Sequence, residues 1–200
     1  MTMEYEELFV GLHRYKNLTD GATFVEMLEN ETKSEWSSLQ WSNSTIADGI
    51  VSEYRSSLRC SLVPLFPPFT NYNASPLGFM FRRHVYEPVI LAVEHYQQVN
   101  MLDPCIHEEF ELLKYQGGGR YNAHYDHHSM NSRIFSVVSF LGNTSQGEGQ
   151  LEFPRLGITV EAEPNTTVIF PANFPYIHIA HPVHTGVKYS MVTWYRSSPI

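Results

Sequence analysis

Between residues 108 and 196 the chain divides into eight short segments of alternating apolar and polar residues, separated by glycine, proline and asparagine. An alternation of period two puts apolar side chains on one face of a strand, and tight connections between such segments leave no length for crossover helices. The segments fall at 108–116, 120–126, 133–141, 150–153, 157–162, 166–171, 176–181 and 187–196. Eight strands of this kind predict a mainly β fold with flanking helices, an α+β chain built on a jelly roll or barrel.

Upstream, Val89, Ile90, Val93 and Tyr96 recur at helical spacing behind Pro88, which predicts a helix over 88–99 with its proline in the first turn. Four prolines, Pro64, Pro67, Pro68 and Pro76, make 65–76 an irregular connection. The first 70 residues have spacings compatible with short helices and carry no cofactor signature. With 200 residues, 42% of them hydrophobic, the expectation is a single domain, with supporting helices and connections over 1–106 and the jelly-roll core over 107–198.

Composition removes several functions. A formal charge of -8 would repel nucleic acid, and no apolar run approaches the roughly 20 residues of a membrane span. Glu4, Glu6 and Glu7 stand where an export signal needs basic residues, so a cytoplasmic protein is expected. Two cysteines, Cys60 and Cys105, are too few for a disulfide framework. No Gly-x-Ser-x-Gly elbow is present, and no cysteine stands beside a histidine in motif form.

One pattern points to metal chemistry. In His124-Tyr125-Asp126 an imidazole and a carboxylate are two residues apart, which on a strand places both on one face. Two histidines and one carboxylate hold iron(II) while leaving positions open, so a third ligand is required. His178, His181 and His184 compete for that role. His178 is favoured, as a mid-strand residue within 176–180; His181 points the other way and precedes Pro182, and His184 lies in a turn. His127 and His128 read as loop residues near the pocket mouth. The motif alone is weak, because His-x-Asp arises by chance.

Ten positions beyond His178, Lys188 opens the last strand, with Ser190 and Trp194 on the same face. An inward lysine with no acidic neighbour in sequence asks for an anion, and a dicarboxylate would supply one. Tyr115 could add a hydroxyl donor. The plainer reading makes Lys188 a solvated strand-end residue and Tyr115 a core aromatic.

Taken in order, Tyr115-x-x-Gly118-x-x-Tyr121-x-x-His124-x-Asp126, Gly149-Gln150-Leu151-Glu152-Phe153-Pro154 and His178-x-x-x-Pro182-Val183-x-x-Gly186-x-Lys188 resemble the prolyl 4-hydroxylase-like Fe(II)/2-oxoglutarate-dependent dioxygenases. The resemblance covers 108–196 and implies a double-stranded β-helix. It implies Fe(II) on His124, Asp126 and His178, and 2-oxoglutarate as co-substrate held by Lys188 with help from Tyr115 and, less securely, Ser190. Oxygen would be the second substrate and ascorbate a candidate reductant. The implied reaction is hydroxylation of an unactivated C–H bond, best matched to a prolyl residue in a peptide or protein. Two departures stand out: His181 where cysteine is common, and Gly117-Gly118-Gly119, richer in glycine than the pattern needs and readable as a flexible turn or a mobile lip. The rival readings are a non-catalytic cupin-like metal- or ligand-binding module, a manganese or zinc enzyme of the cupin kind, and an oxygenase acting on a small molecule. Lys188 argues against the first two.

Overall fold

Where the sequence alternates, the backbone is extended and paired. The structure, a computed structural model, describes residues 4–35, 37–45, 52–65, 75–127, 132–145 and 147–197. In chain order the elements are β1 (Glu4–Phe9), β2 (Leu12–Lys16), α1 (Gly21–Glu31), β3 (Ser42–Asn43), β4 (Arg55–Ser56), β5 (Leu58–Ser61), α2 (Pro76–Phe81), α3 (Glu87–Val99) and β6 (Cys105–His107). There follow β7 (Glu111–Tyr115), β8 (Gly119–His124), β9 (Arg133–Asn143), β10 (Leu151–Phe153), β11 (Ile158–Val160), β12 (Thr166–Pro171), β13 (His178–Val183) and β14 (Lys188–Ser197). A π-helical turn, Arg82–Tyr86, joins α2 to α3.

The last eight strands answer the eight sequence segments one for one. They divide between two antiparallel sheets, the larger in the order β1-β2-β12-β9-β14-β7-β5-β3 with β6 on β14, the smaller in the order β11-β10-β13-β8-β4. Two such sheets face to face form the double-stranded β-helix. Leu113, Tyr115 and Val192 of the larger sheet meet Ala180 and Val183 of the smaller one between the layers.

On its other face the larger sheet is covered by helices. α3 runs from Glu87, one residue before the expected start, with Pro88 in the first turn, and buries Val89, Ala92, Val93 and Tyr96. These join Phe24 and Leu28 of α1 and Phe81 of α2 against Phe135, Val137, Ile169 and Met191. Each such side chain, removed from water, contributes about 1.5–3 kcal/mol.

The first third differs from expectation. In place of a set of short helices it holds one α-helix, one 3-10 turn (Val63–Leu65) and five strands among the described residues. β1 and β2 form a hairpin through Gly11 (φ 70°), and β2 extends the larger sheet by pairing Tyr15 with Thr167 and His13 with Ile169. Short segments of mixed pattern take the conformation that an available sheet edge offers. Of the proline-rich connection, 66–74 lies outside the described residues. Its last proline, Pro76, opens α2, whose first turn is capped by the Ser75 hydroxyl accepting from Gly78 N.

The triple glycine is not surplus. Gly117 and Gly118 have φ of 58° and 86° in the β7–β8 turn, and a Cβ on Gly119 would lie 2.8 Å from the Ser56 carbonyl oxygen. Gly118 N also donates to Val183 O at 2.7 Å, tying the turn to β13.

Candidate metal and anion site

Antiparallel pairing of β8 with β13 sets His178 directly opposite His124, with ring centroids 4.2 Å apart. His178 begins its strand and does not sit in its middle, because Tyr176 N turns back to Asn173 O and extended pairing starts only beyond it. Asp126 lies two residues past the end of β8, and not on the strand as expected. There its N–H and that of His127 both donate to Ala172 O, at 3.0 and 2.9 Å, which turns the chain and swings the carboxylate back toward the histidines. His124 Nε2 is 3.6 Å from Asp126 Oδ1 and His178 Nε2 is 3.7 Å from Oδ2.

Each group is oriented by a neighbour. His124 Nδ1 lies 2.7 Å from Asn122 O and His178 Nδ1 3.1 Å from Tyr176 O. A carbonyl only accepts, so both Nδ1 atoms carry a hydrogen, and both Nε2 atoms face Asp126. Burial, aided by His178, pushes His124 down to about 3, so its imidazole is neutral and free to ligate. Burial works to raise Asp126, yet His178 foremost and the Ser136 hydroxyl, which donates to Oδ2 at 2.6 Å, hold the carboxyl below its ordinary value. Tyr121 stacks on His124 at 3.5 Å, and Phe170 packs edge-on against His178. Among the described residues these three form the one His/Cys/Asp/Glu group able to hold a metal, with one ligand atom from each lying within 4.8 Å of the others. Two imidazoles and a carboxylate suit a first-row divalent metal with positions to spare.

These three side chains help line a cavity of about 40 Å³, room for about three waters. Lys188, Tyr115 and Ser190 line it too. Lys188 is 1% exposed; its Nζ donates to Gly149 O at 2.6 Å and stands 4.3 Å over the Tyr115 ring. Burial pushes its pKa down to about 7, and among the described residues no carboxylate pairs with it. Ser190 Oγ is buried, with no hydrogen-bond partner among the described residues. Burial pushes Tyr115 up to about 12, which leaves a neutral phenol. A lysine lacking its counter-ion beside an orphaned hydroxyl is the environment that a small carboxylate would complete, so the donor set fits both a metal and a dicarboxylate.

The competing histidines go elsewhere. His181 Nε2 bonds Glu152 Oε2 at 2.6 Å, His184 is exposed in the β13–β14 turn, and His127 Nδ1 bonds Arg133 O. His128 lies outside the described residues. Sequence reasoning missed Arg55, which lines the cavity from β4 with its guanidinium 4.8 Å over the Tyr121 ring. No motif marks it, because β4 is two residues long and meets β8 only through tertiary pairing. Trp194 also lines the cavity, under the Arg133 guanidinium at 3.9 Å.

Residues 110–196 match the family model described as the 2OG-Fe(II) oxygenase superfamily. No curated protein sequence matches the chain. Among solved structures, a Trichoplax adhaerens prolyl hydroxylase in complex with a hypoxia inducible factor oxygen degradation domain peptide fragment is similar at TM-score 0.73 and 15% identity, over 94% of this chain and 84% of that one. The viral collagen prolyl hydroxylase of Paramecium Bursaria Chlorella virus-1, as its 2OG complex, gives 0.65 and 15% over 94% and 97%. A Pseudomonas putida prolyl-4-hydroxylase gives 0.63 and 15% over 93% and 92%. At that identity the likeness establishes the shared double-stranded β-helix.

Proposed function

From the membership of residues 110–196 in the 2OG-Fe(II) oxygenase superfamily, we infer that this 2-oxoglutarate-dependent dioxygenase binds Fe(II) through His124, Asp126 and His178 and hydroxylates a prolyl residue of a peptide or protein. The observation that carries the reading is the convergence, on one cavity, of a His/Asp/His group and a buried lysine that has no carboxylate partner among the described residues.

When bound, iron and 2-oxoglutarate would supply, with molecular oxygen as the oxidant, an oxidative decarboxylation to succinate and carbon dioxide coupled to hydroxylation of an unactivated C–H bond, one oxygen atom going to succinate and the other to the hydroxyl. The chain's residues bind, orient and keep dry. Lys188 meets the distal carboxylate and takes up a proton as it does so, since burial leaves it near neutrality when unpaired. Ser190 Oγ donates to the same carboxylate, and Tyr115 supports the ammonium from below with its ring. Leu113, Val138, Phe140 and Val192 line the cavity and exclude stray water from the co-substrate.

A peptide substrate is supported by the peptide in the Trichoplax complex and by exposed aromatic rings beside the metal group. Tyr125 stands between the two ligands of the first motif and is half exposed; Tyr54 donates its hydroxyl to Ala123 O, next to His124. Such rings suit the flat face of a proline. Two unpaired thiols support a cytoplasmic location, and no described helix is long and apolar enough to cross a membrane.

The test is anaerobic loading with Fe(II) and 2-oxoglutarate, then admission of oxygen and measurement of succinate with and without proline-containing peptides. Peptide-stimulated succinate with a hydroxyproline product is expected; failure to bind 2-oxoglutarate would overturn the reading.

A further inference from the structure

We propose that Glu148 is a positioning residue for the co-substrate anchor: by tying its own segment to the β13–β14 turn, it fixes the Gly149 carbonyl that holds the Lys188 ammonium. The proposal rests on the reading of Lys188 as the lysine that meets the distal carboxylate.

Lys188 reaches the cavity along the backbone of Gly149. A Cβ there would lie 2.8 Å from Val183 Cγ2 and 2.9 Å from Lys188 Cδ, and Gly149 itself has φ 74°. The lysine stem therefore packs on bare backbone, and its ammonium ends at the same residue's carbonyl, 2.6 Å away. An ammonium has three N–H donors. One is spent on Gly149 O, so the place of that carbonyl decides where the other two point, and hence how well a carboxylate is met.

Besides this packing, hydrogen bonds on both sides hold the carbonyl in place, His181 N donating to Gln150 O at 2.9 Å on one of them. Gly149 N donates to Pro182 O at 3.2 Å. The neighbouring Glu148 spans to the turn with one oxygen: Oε2 accepts from His184 N at 2.8 Å, Thr185 N at 2.9 Å and Thr185 Oγ1 at 3.3 Å. Charged acceptors make the stronger bonds of this kind, and these same donors hold the carboxyl below its ordinary value, Thr185 N first among them. Thr144 and Ser145 tie the far side of the turn through neutral groups, Thr144 Oγ1 accepting from Val187 N at 2.9 Å and Ser145 Oγ donating to Thr185 O. The charged tie thus stands next to the carbonyl that Lys188 uses. Glu148 lies at the surface and touches no reacting atom, so its effect passes through Gly149 to Lys188.

The experiment is calorimetric titration of 2-oxoglutarate into the full chain loaded with Mn(II), with metal affinity and Tm measured alongside. Glu148→Ala is expected to raise the 2-oxoglutarate Kd about tenfold with Mn(II) affinity unchanged, and Glu148→Gln, whose amide oxygen still accepts both backbone N–H groups, to stay within about threefold of the parent. In turnover the loss appears in the KM for 2-oxoglutarate and not in kcat. An alanine variant within about twofold of the parent, or a glutamine variant as weak as alanine, overturns the proposal. Lys188→Met separates the two levels. If it leaves the Kd unchanged, the reading of the anchor fails; if it weakens binding while Glu148→Ala does not, only the role of Glu148 fails.

Discussion

Lys188 and Tyr115 are cross-strand partners on β14 and β7, and the ammonium of one stands 4.3 Å above the ring of the other. The pair sets a buried cation on an aromatic face, an arrangement that eases burial without neutralising it. Its pKa, pushed from 10.5 to about 7, turns that geometry into a pH dependence. A dicarboxylate held by Lys188 would require the protonated lysine, so above about pH 7 binding would take up a proton, and the Kd for 2-oxoglutarate should rise about tenfold per pH unit. Lys188→Met should bind about a hundredfold more weakly and with little dependence on pH in this range. Calorimetry in buffers of different ionisation enthalpy counts the proton directly; a flat parent profile would contradict the assignment.

The same lysine predicts a stability effect of opposite sense. Its folded pKa lies below its unfolded one, so between about 7 and 10.5 the unfolded chain binds more protons. The penalty is absent above the unfolded value, grows as pH falls and is complete below the folded value, on the order of 5 kcal/mol. Lys188→Met should therefore raise the Tm of the unliganded protein, and by more at pH 7 than at pH 10. A gain independent of pH would show that packing alone changed.

For the metal, His178→Ala should abolish Mn(II) or Fe(II) binding in equilibrium titration, whereas His181→Ala and His184→Ala should bind as the parent does. His181 is engaged with Glu152 and His184 lies on the exposed turn. Loss of metal in either of these two, with retention in His178→Ala, would reverse the choice of ligand.

Ser136 offers a subtler test. Its hydroxyl donates to Asp126 Oδ2 at 2.6 Å and so orients the carboxylate. Removing an orienting partner of this kind costs about 10–100-fold in metal affinity. Ser136→Ala should show that loss in a competition titration with a chelator, with a smaller change in Ser136→Thr; an unaltered affinity would leave the hydroxyl with no part in the site.

The glycines of the β7–β8 turn should separate by cause. Gly117→Ala meets nothing within 4 Å and bears only the strain of φ 58°, about 1 kcal/mol, whereas Gly119→Ala drives a methyl against the Ser56 carbonyl. The second should cost about 1–3 kcal/mol and shift β4, seen as a larger fall in Tm. Equal losses would contradict the steric account.

How far the sequence foretold the site depends on which atoms do the positioning. Strands β7–β14 were legible because burial on one face imposes period two on every one of them. His124, Asp126 and Lys188 were legible because local spacing carries them. The exact start of β13 was not, since it depends on a turn closed by Asn173; nor was the bend at Asp126, which depends on a carbonyl 46 positions away, at Ala172. Arg55 left no trace because it reaches the cavity from a strand of two residues, and the β1–β2 hairpin gave no signal because its pairing partner, β12, lies some 150 residues downstream.

The two histidines and the aspartate come from β8, β13 and the bend after β8, on the smaller sheet, whereas Lys188, Tyr115 and Ser190 all belong to the larger one. A metal alone would therefore fasten neighbouring strands within one layer, but a dicarboxylate spanning from metal to lysine would lace the two layers of the sandwich together. Metal and co-substrate should then protect the fold cooperatively, each raising the melting point more in the presence of the other than by itself.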